Sequence, residues 1–403
     1  MRKPVYLDNN ATTPVDERVL EVMLPFYREQ FGNAASVSHS YGLAAAGAVK
    51  RARVQVADLL GARPEEIVWT SGATESNNLA LKGVMERYRD RGCHLITCTT
   101  EHKAVLDTCK YLEMKDVEVT YLPVDSKGMV NVKQLKSSLT DRTILISLMA
   151  ANNETGVLHP IEQIGAIARE HGIFFHCDAT QAVGKIPLDV KRLGIDLLSL
   201  SAHKMYGPKG VGALYVSDRN PRVRPTAVLH GGGHERGMRS GTLNVPGIVG
   251  LGKAAEICTE QMGEESRRLK QLADRLYQGI TNGLEEVILN GDRQRRLGHT
   301  LNLSFAYIEG ESLMMDLRHD VAVSSASACT SATLQPSYVL RAMGVSDELA
   351  HGSIRFSLGR FNTAEEIDYA AVCVVRSVRR LREVSPLYEA IRKGDDTPNA
   401  IQR

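Results

Sequence analysis

Two residues with the potential for chemistry follow neighbouring segments that we predict to be buried strands. Asp178 comes directly after segment 173–177, and Lys204 follows segment 196–200. One helical crossover separates the two segments, so both side chains can line the same crevice. A buried lysine can act as an amine nucleophile towards an aldehyde, and a buried carboxylate can hold a pyridinium nitrogen protonated.

A third feature, the run from Ser71 to Ser76, follows another predicted strand and opens a helix. Small residues there let backbone N–H groups approach an anion at the helix N-terminus, and the hydroxyls add donors. An ordinary N-cap turn would use the same residue types, since Ser and Thr favour these positions anyway. A lysine, an acid and an anion cradle together meet the requirements of pyridoxal 5′-phosphate (PLP). On spacing alone, a structural ion pair between Asp178 and Lys204 is the alternative.

The elements that must position these residues alternate between short apolar runs and amphipathic segments over residues 64–216. This alternation predicts an α/β fold with a mainly parallel sheet between helices, whose ligands sit beyond the carboxyl ends of the strands. The predicted strands are 67–70, 94–98, 117–122, 144–150, 173–177, 196–200 and 211–216, and the predicted helices include 75–89 and 161–171.

A smaller α+β unit is predicted beyond a long helical region at 246–284. It contains strands at 302–305 and 353–358 and a helix at 365–382. Arg355 alternates with apolar residues in the second strand and so faces away from the apolar side. We predict a large domain over 15–257 and a small domain formed by 1–14 and 258–403.

Composition excludes several classes of protein. The chain has 403 residues, a net charge of +2 and 5% aromatic residues, which argues against nucleic-acid binding because phosphate affinity needs a clustered basic excess. The apolar segment 144–151 is too short to span a bilayer, and the first residues lack the apolar stretch of a signal peptide. Seven scattered cysteines without a C-x-x-C pair suit a reducing compartment. The sequence predicts a cytoplasmic protein with no membrane contact.

Seven motifs, in order, resemble those of the cysteine desulfurases. These are PLP-dependent enzymes of fold type I that supply sulfur for iron–sulfur clusters, and the resemblance extends from about residue 5 to about residue 390. The motifs are 7–14 (Leu-Asp-Asn-Asn-Ala-Thr-Thr-Pro), 100–102 (Thr-Glu-His), 152–154 (Asn-Asn-Glu), 178–181 (Asp-Ala-Thr-Gln), 201–204 (Ser-Ala-His-Lys), 239–242 (Arg-Ser-Gly-Thr) and 325–331 (Ser-Ala-Ser-Ala-Cys-Thr-Ser).

The resemblance implies a role for each matching residue. Lys204 would bind PLP covalently and later move protons, while His102 would stack on the ring and join in proton transfer. Asp178 would pair with the pyridine nitrogen and Gln181 with the ring hydroxyl. Residues near the start of the helix and just before Lys204 would hold the phosphate. A side-chain amide and a guanidinium would hold the substrate carboxylate. These residues are Thr74, Ser201 and His203 for the phosphate, with Thr242 from a second subunit of an obligate homodimer, and Asn153 and Arg355 for the carboxylate. Ala73 and Asn153 would also bind the cofactor.

Cys329 decides the reaction that the resemblance implies. It lies in a run of small residues without an apolar period, which predicts an exposed, mobile loop at about 324–338. Its thiolate would take the sulfur of L-cysteine as a persulfide, release L-alanine and pass the sulfur on. No resident metal site is predicted, although Cys329 could be a transient ligand of a metal cluster.

The implied partners are L-cysteine, a second copy of the chain, an iron–sulfur scaffold protein and other sulfur acceptors. Motifs of both the housekeeping and the nitrogen-fixation branches occur, and we favour the housekeeping branch. Departures include Ala326 where the family has Gly, and a divergent tail after Pro386. A selenocysteine lyase, a cysteine sulfinate desulfinase and a non-catalytic assembly subunit are the alternatives. The arginines at 222 and 224 could dock acidic partners, whereas those at 376, 379, 380 and 382 are better interpreted as a solvated helix face.

Overall fold

The computed structural model describes residues 3–325, 335–386 and 388, and a mainly parallel sheet lies at its centre. The strands are short and most are wholly buried. In chain order they are β1 (Val5–Tyr6), β2 (Ile67–Thr70), β3 (His94–Cys98), β4 (Glu118–Leu122), β5 (Thr143–Ser147), β6 (Phe174–Asp178), β7 (Leu197–Ser201), β8 (Gly212–Val216), β9 (Val287–Leu289), β10 (Thr300–Phe305), β11 (Val321–Ala322), β12 (Ser324–Ser325) and β13 (Ser353–Ser357).

The helices connect and cover these strands. In chain order they are α1 (Glu17–Met23), α2 (Pro25–Arg28), α3 (Ser40–Leu60), α4 (Ala73–Arg87), α5 (Lys103–Glu113), α6 (Val132–Ser137), α7 (Ile161–Glu170), α8 (Val245–Thr281), α9 (Gly310–Leu317), α10 (Tyr338–Ala342), α11 (Asp347–His351) and α12 (Ala364–Glu383). None of the described helices is long and apolar enough to cross a membrane.

The large sheet has the strand order β2-β8-β7-β6-β5-β3-β4 within the described residues. All its pairings are parallel except those of β8, which runs antiparallel to β2 and β7. Successive residues of each inner strand enter opposite apolar cores: Leu197 packs with Leu145 on one face, while Leu198 packs with Ile146 on the other. Burial on both faces explains the continuous apolar runs in the sequence. The predicted α/β fold class is confirmed.

A second, smaller unit has its own apolar core. Its described strands form an antiparallel sheet of order β12-β13-β10-β9 and a parallel pair of β1 with β11. Val5 and Leu7, from the beginning of the chain, lie in this core with Phe305 and Phe356. Helix α8 enters both cores, so the proposed boundary between residues 257 and 258 falls inside one continuous helix.

Element boundaries differ from the predicted ones by a few residues. Strand β5 ends at Ser147 rather than at residue 150, although Leu148 and Ala150 still donate N–H bonds to His176 and Asp178 beyond the regular ladder. Helix α4 begins at Ala73, because Gly72 supplies the N-cap.

One predicted surface residue is instead buried. Arg382 donates to the carbonyl oxygens of Glu285, Glu286 and Ala306, so it ties α12 to the loop before β9. The prediction of a solvated position was wrong for this residue. Helical spacing alone could not show that unpaired backbone carbonyls face it.

Candidate active site

A cavity of about 550 Å³ opens at the carboxyl edge of the large sheet, where β6 and β7 end side by side. Most of the predicted site residues line this cavity. Those lining it are Ala73, Thr74, His102, Asn153, Asp178, Gln181, Ser201, His203, Lys204 and Arg355.

Asp178 is the last residue of β6 and is buried at the base of the cavity. Its Oδ2 accepts a hydrogen bond from Asn77 Nδ2 at 2.7 Å. Its Oδ1 accepts from the backbone N–H of Thr180 at 3.0 Å and from the Thr180 hydroxyl at 2.5 Å. Donors from two separate elements therefore fix the plane of this carboxylate.

Lys204 ends a 3₁₀ turn, Ala202–Lys204, that follows β7 directly. Its Nζ donates to the carbonyl oxygens of Asn10 at 2.5 Å and Ala11 at 2.7 Å. The amine is thus held by the segment after β1. These two contacts do not involve the Asp178 carboxylate. They therefore do not support the alternative of a structural ion pair between Asp178 and Lys204.

The turn that carries Lys204 is anchored by the same N-terminal segment. Tyr206 has a positive φ of 64°, which is unfavourable for a bulky residue, and its N–H donates to the Thr13 hydroxyl. Asp16 donates its N–H to the Tyr206 carbonyl and accepts from Arg360, whose guanidinium also bonds Glu265. A buried charged network therefore stabilises the strained turn.

His102 is the N-cap residue of α5, where its Nδ1 accepts the N–H of Ala104 at 3.1 Å. Burial lowers the pKa of His102, and the charge of Lys204 lowers it further. The imidazole is therefore neutral at neutral pH, and because Nδ1 is an acceptor, its proton is on Nε2.

Glu101, immediately before His102, is a fully buried carboxyl group that the sequence analysis left without a role. Its Oε1 accepts the N–H of Met149 at 2.6 Å, and its Oε2 has no hydrogen-bond partner among the described residues. Burial and the nearby charge of Asp178 raise the pKa of Glu101 well above its usual value. Sequence could not reveal this burial, although the motif 100–102 contained the residue.

The anion cradle forms at the start of α4. Gly72, the N-cap, has a φ of 153°, which L side chains rarely adopt, and a Cβ at this position would lie 3.7 Å from Ser201 Oγ. The first N–H groups of α4 have no partner within the helix and carry the positive end of its dipole. Thr74, Ser201 and His203 line the same part of the cavity.

His203 adds a neutral ring to this end of the cavity. Burial is the largest cause that lowers the pKa of His203 to about 4, and the charges of Lys204 and Lys209 act in the same direction. One ring nitrogen, Nδ1, lies 3.1 Å from the Thr12 hydroxyl.

Arg355 and Asn153 line the same cavity. Arg355 is only 4% exposed; it donates through Nη1 to the Asn153 carbonyl at 2.9 Å and through Nη2 to Asp8 Oδ1 at 2.8 Å. The Arg355 Nε and the Asn153 Oδ1 are buried without a partner in the described part of the chain. Such orphaned polar atoms in a cavity indicate a polar ligand. Arg355 is therefore not a solvated charge on the surface of its strand.

Two predicted site residues, Thr242 and Cys329, are not among the residues that line the cavity. Thr242 is exposed and does not line the cavity. Cys329 lies outside the described residues, but both flanks of its segment end at the site: β12 pairs with β13 beside Arg355, and Ser337 donates to Glu154 at 2.5 Å.

Asn77 and Asn10 are further site residues without a role in the sequence analysis. Asn10 donates through Nδ2 to the Asn153 carbonyl and accepts at its own carbonyl from Gln181 and Lys204. Asn77 faces Asp178 across the sheet edge. Both asparagines are buried, and only the tertiary structure reveals their partners.

Known proteins share this sequence and fold. A family model described as aminotransferase class-V matches residues 5–370. A protein named cysteine desulfurase IscS from Anaeromyxobacter sp. (strain Fw109-5) is 59% identical over 396 residues, 98% of each chain. A solved structure named NifS-like protein is 42% identical with a TM-score of 0.87, covering 94% of this chain and 100% of that one. Another, SspA in complex with cysteine, is 39% identical with a TM-score of 0.79, covering 90% and 100%.

Proposed function

The chain belongs to the class-V aminotransferase family, and from that membership we propose that it is a PLP-dependent cysteine desulfurase. It converts L-cysteine to L-alanine and passes the sulfur, by way of an enzyme persulfide, to acceptor proteins for iron–sulfur cluster assembly. The observation that carries this proposal is the arrangement of Asp178, Lys204 and Arg355 around one cavity.

The residues present fit PLP. The helix N-terminus behind Gly72 with Ser201 and His203 would hold the phosphate, and Asp178 would face the pyridine nitrogen. When bound, PLP supplies an electron sink for the substrate carbons. The unpartnered Nε of Arg355, a buried cationic donor that lines the cavity, supports a second, acidic ligand group there.

Arg355 would bind the carboxylate of L-cysteine. Its guanidinium is already oriented by Asp8 and by the Asn153 carbonyl, so little rotamer freedom is lost when the substrate binds. The buried position excludes water, which strengthens a charge-assisted hydrogen bond. Asn153 would contribute its side-chain amide to the same carboxylate.

Lys204 and His102 would handle protons. Lys204 lies at the end of a rigid turn, so its amine can take up and return a proton at the substrate Cα from a fixed position. His102 is neutral and carries its proton on Nε2, so it can stack on a ring or donate that proton. Gln181 would hydrogen-bond the ring hydroxyl; its Nε2 now donates to the Asn10 carbonyl.

Cys329 would accept the sulfur. Its thiolate attacks the sulfur of the substrate; an S–S bond forms as the C–S bond breaks, and the carbon keeps the electron pair and takes a proton to give L-alanine. On one side of the segment containing Cys329, Ser324 pairs with Arg355, and on the other Ser337 donates to Glu154, the neighbour of Asn153. Both flanks therefore contact residues at or next to the cavity lining, which supports delivery of the thiol to this cavity.

A second copy of the chain would complete the site. Thr242 is exposed outside the cavity of its own chain, as a residue that serves a partner's phosphate site should be. Large apolar side chains are also exposed together along α1, α2 and the start of α3, a surface that suits burial against another subunit. They are Leu20, Leu24, Tyr27, Phe31, Tyr41 and Leu43.

We also propose a cytoplasmic location and a sulfur-accepting scaffold protein as partner. The six cysteines within the described residues are all free, which supports a reducing compartment.

The test is an anaerobic assay of PLP-loaded protein with L-cysteine and dithiothreitol, comparing the wild type with Cys329→Ala. We expect a yellow wild type that forms sulfide and alanine, and a yellow variant that releases no sulfide. A colourless wild type that gains neither colour nor activity with added PLP would refute the proposed enzyme. Full sulfide release by Cys329→Ala would refute only the role given to that thiol.

A further inference from the structure

Two buried carboxyl groups, those of Glu101 and Asp178, lie close enough to feel each other's charge. The charge of Asp178 is one of the causes that raise the pKa of Glu101, after burial itself. Both groups therefore belong to one buried region of the site.

The two carboxyl groups differ in the number of hydrogen bonds that they accept. Asp178 accepts three hydrogen bonds, one from Asn77 and two from Thr180. Glu101 accepts one, from the Met149 N–H, and its Oε2 has no hydrogen-bond partner in the described residues. Three hydrogen bonds therefore hold the Asp178 carboxyl group in place, against one for Glu101.

The two residues that donate to Asp178 come from different parts of the structure, so they fix its carboxyl group relative to different elements. Thr180 follows Asp178 by two positions, so its contacts belong to the local turn after β6. Asn77 comes from the first turns of α4, the helix whose N-terminus forms the anion cradle. Its bond therefore fixes Asp178 relative to the place where a phosphate would sit.

The burial of Asn77 has an energetic cost. It is 0% exposed, and its Oδ1 is buried without a hydrogen-bond partner among the residues described. An unpartnered buried amide oxygen is destabilising, and breaches of this kind concentrate at functional sites. Within the described residues, Asn77 is the only side-chain amide that donates to the Asp178 carboxyl group. The ionisable groups whose pKa the charge of Asp178 raises are Glu101, His102, His176 and Cys177.

We propose that Asn77 is a positioning residue that fixes the Asp178 carboxylate against the pyridine nitrogen of PLP. The inference rests on the proposed function, because it needs PLP in this cavity. Asn77 donates one neutral N–H to Oδ2, and that oxygen retains a lone pair for the ring nitrogen. A cationic donor at this place would neutralise the acid; an amide does not.

The test measures binding to the apoprotein of PLP and of its 1-deaza analogue, in which a C–H replaces the ring nitrogen. The variant is Asn77→Ala, and the control is Asn78→Ala on the same helix turn, where the exposed amide donates to the Thr74 carbonyl. We expect Asn77→Ala to weaken PLP binding about tenfold and binding of the deaza analogue less than about twofold. Asn78→Ala should change neither.

Both ligands are measured on the same protein, so a general loss of structure would weaken the binding of both to the same extent. Equal weakening for PLP and the analogue would mean that Asn77 only shapes the cavity, and no weakening for either would mean that it does not position Asp178. Each outcome overturns the proposal. If Asn77→Ala does not fold, Asn77→Ser, which retains a small polar side chain too short to reach Asp178, must give the same pattern. A wild type that binds neither ligand would instead refute the proposed function.

Discussion

Asp8 and Arg355, at opposite ends of the sequence, form a partly buried ion pair in which Nη2 of the arginine lies 2.8 Å from Oδ1 of the aspartate. The pair joins the segment after β1 to strand β13. Its carboxylate holds one edge of the guanidinium, and the Asn153 carbonyl holds Nη1. The guanidinium that we propose binds the substrate carboxylate is therefore oriented before a substrate arrives.

Substitution of Asp8 should change substrate affinity more than turnover. Asp8→Ala removes the anchor of Arg355, and we expect the KM for L-cysteine to rise about tenfold with a smaller change in kcat. Asp8→Asn retains an acceptor oxygen, so its KM should stay within about threefold of the wild type. Steady-state kinetics measure both. An unchanged KM in Asp8→Ala would show that Arg355 needs no anchor.

Thr242 should act on the partner's site, which mixed dimers can test. Thr242→Ala homodimers should bind PLP more weakly, because one phosphate donor is lost at both sites. In a mixed dimer with Lys204→Ala subunits, one site has both native residues and the other has neither, so one site of native affinity should return. Titration of the mixed dimers with PLP gives the number of such sites. If no native-affinity site returns, Thr242 does not act across the interface.

Acid should destabilise the fold partly through His159. Burial lowers the pKa of His159 to about 4, and neither ring nitrogen has a hydrogen-bond partner among the described residues. Between the unfolded value of about 6.5 and the folded value, the unfolded chain binds more protons. The free energy of unfolding should therefore fall as the pH drops through this window, by up to about 3 kcal/mol from this residue.

The comparison of His159→Phe with the wild type isolates that contribution. Denaturant unfolding of the variant between pH 7 and pH 4 should show a shallower loss of stability. His171→Gln is the control, because His171 is exposed at the end of α7. Equal slopes for wild type and His159→Phe would contradict the prediction.

The charged network beneath the Lys204 turn should contribute substantially to stability. Arg360→Met leaves the carboxylates of Asp16 and Glu265 with one cation fewer in a buried place, which we expect to cost about 3–5 kcal/mol. Arg18 bonds the same Asp16 carboxylate, but its side chain is 45% exposed. Arg18→Ala should therefore cost less than about 1 kcal/mol. Similar losses in the two variants, measured by denaturant unfolding, would contradict this interpretation.

The periodicity of apolar residues predicted the strands of the large sheet, and with them the strand ends at which Asp178 and Lys204 lie. Both depend on the pattern of residues that are close in sequence. The strands 94–98 and 67–70 were predicted with the bounds found, and the lysine and acid lie at adjacent strand ends as expected. Parallel strands buried on both faces leave an unmistakable apolar run. The α/β class followed from the same signal.

What sequence could not show depends on contacts between distant residues. Alternation in β13 predicted that Arg355 leaves the apolar side, but not that Asp8 meets it there. The burial of Glu101, Asn77 and Arg382 likewise arises from neighbours that are remote in sequence. Helical spacing marks which face a residue occupies, and says nothing about what packs against that face.

The N-terminal segment from Asp8 to Asp16 has a consequence for the order in which the protein matures during synthesis. Its residues anchor Lys204 and orient Arg355, yet Asn9 and Asn10 bond Ser357, which leaves the ribosome far later. Domains generally fold from the N-terminus as they emerge, so the large sheet can form while this segment still lacks its partners. The nascent chain then carries a folded sheet with an unfinished pocket, and cofactor capture must await nearly complete translation.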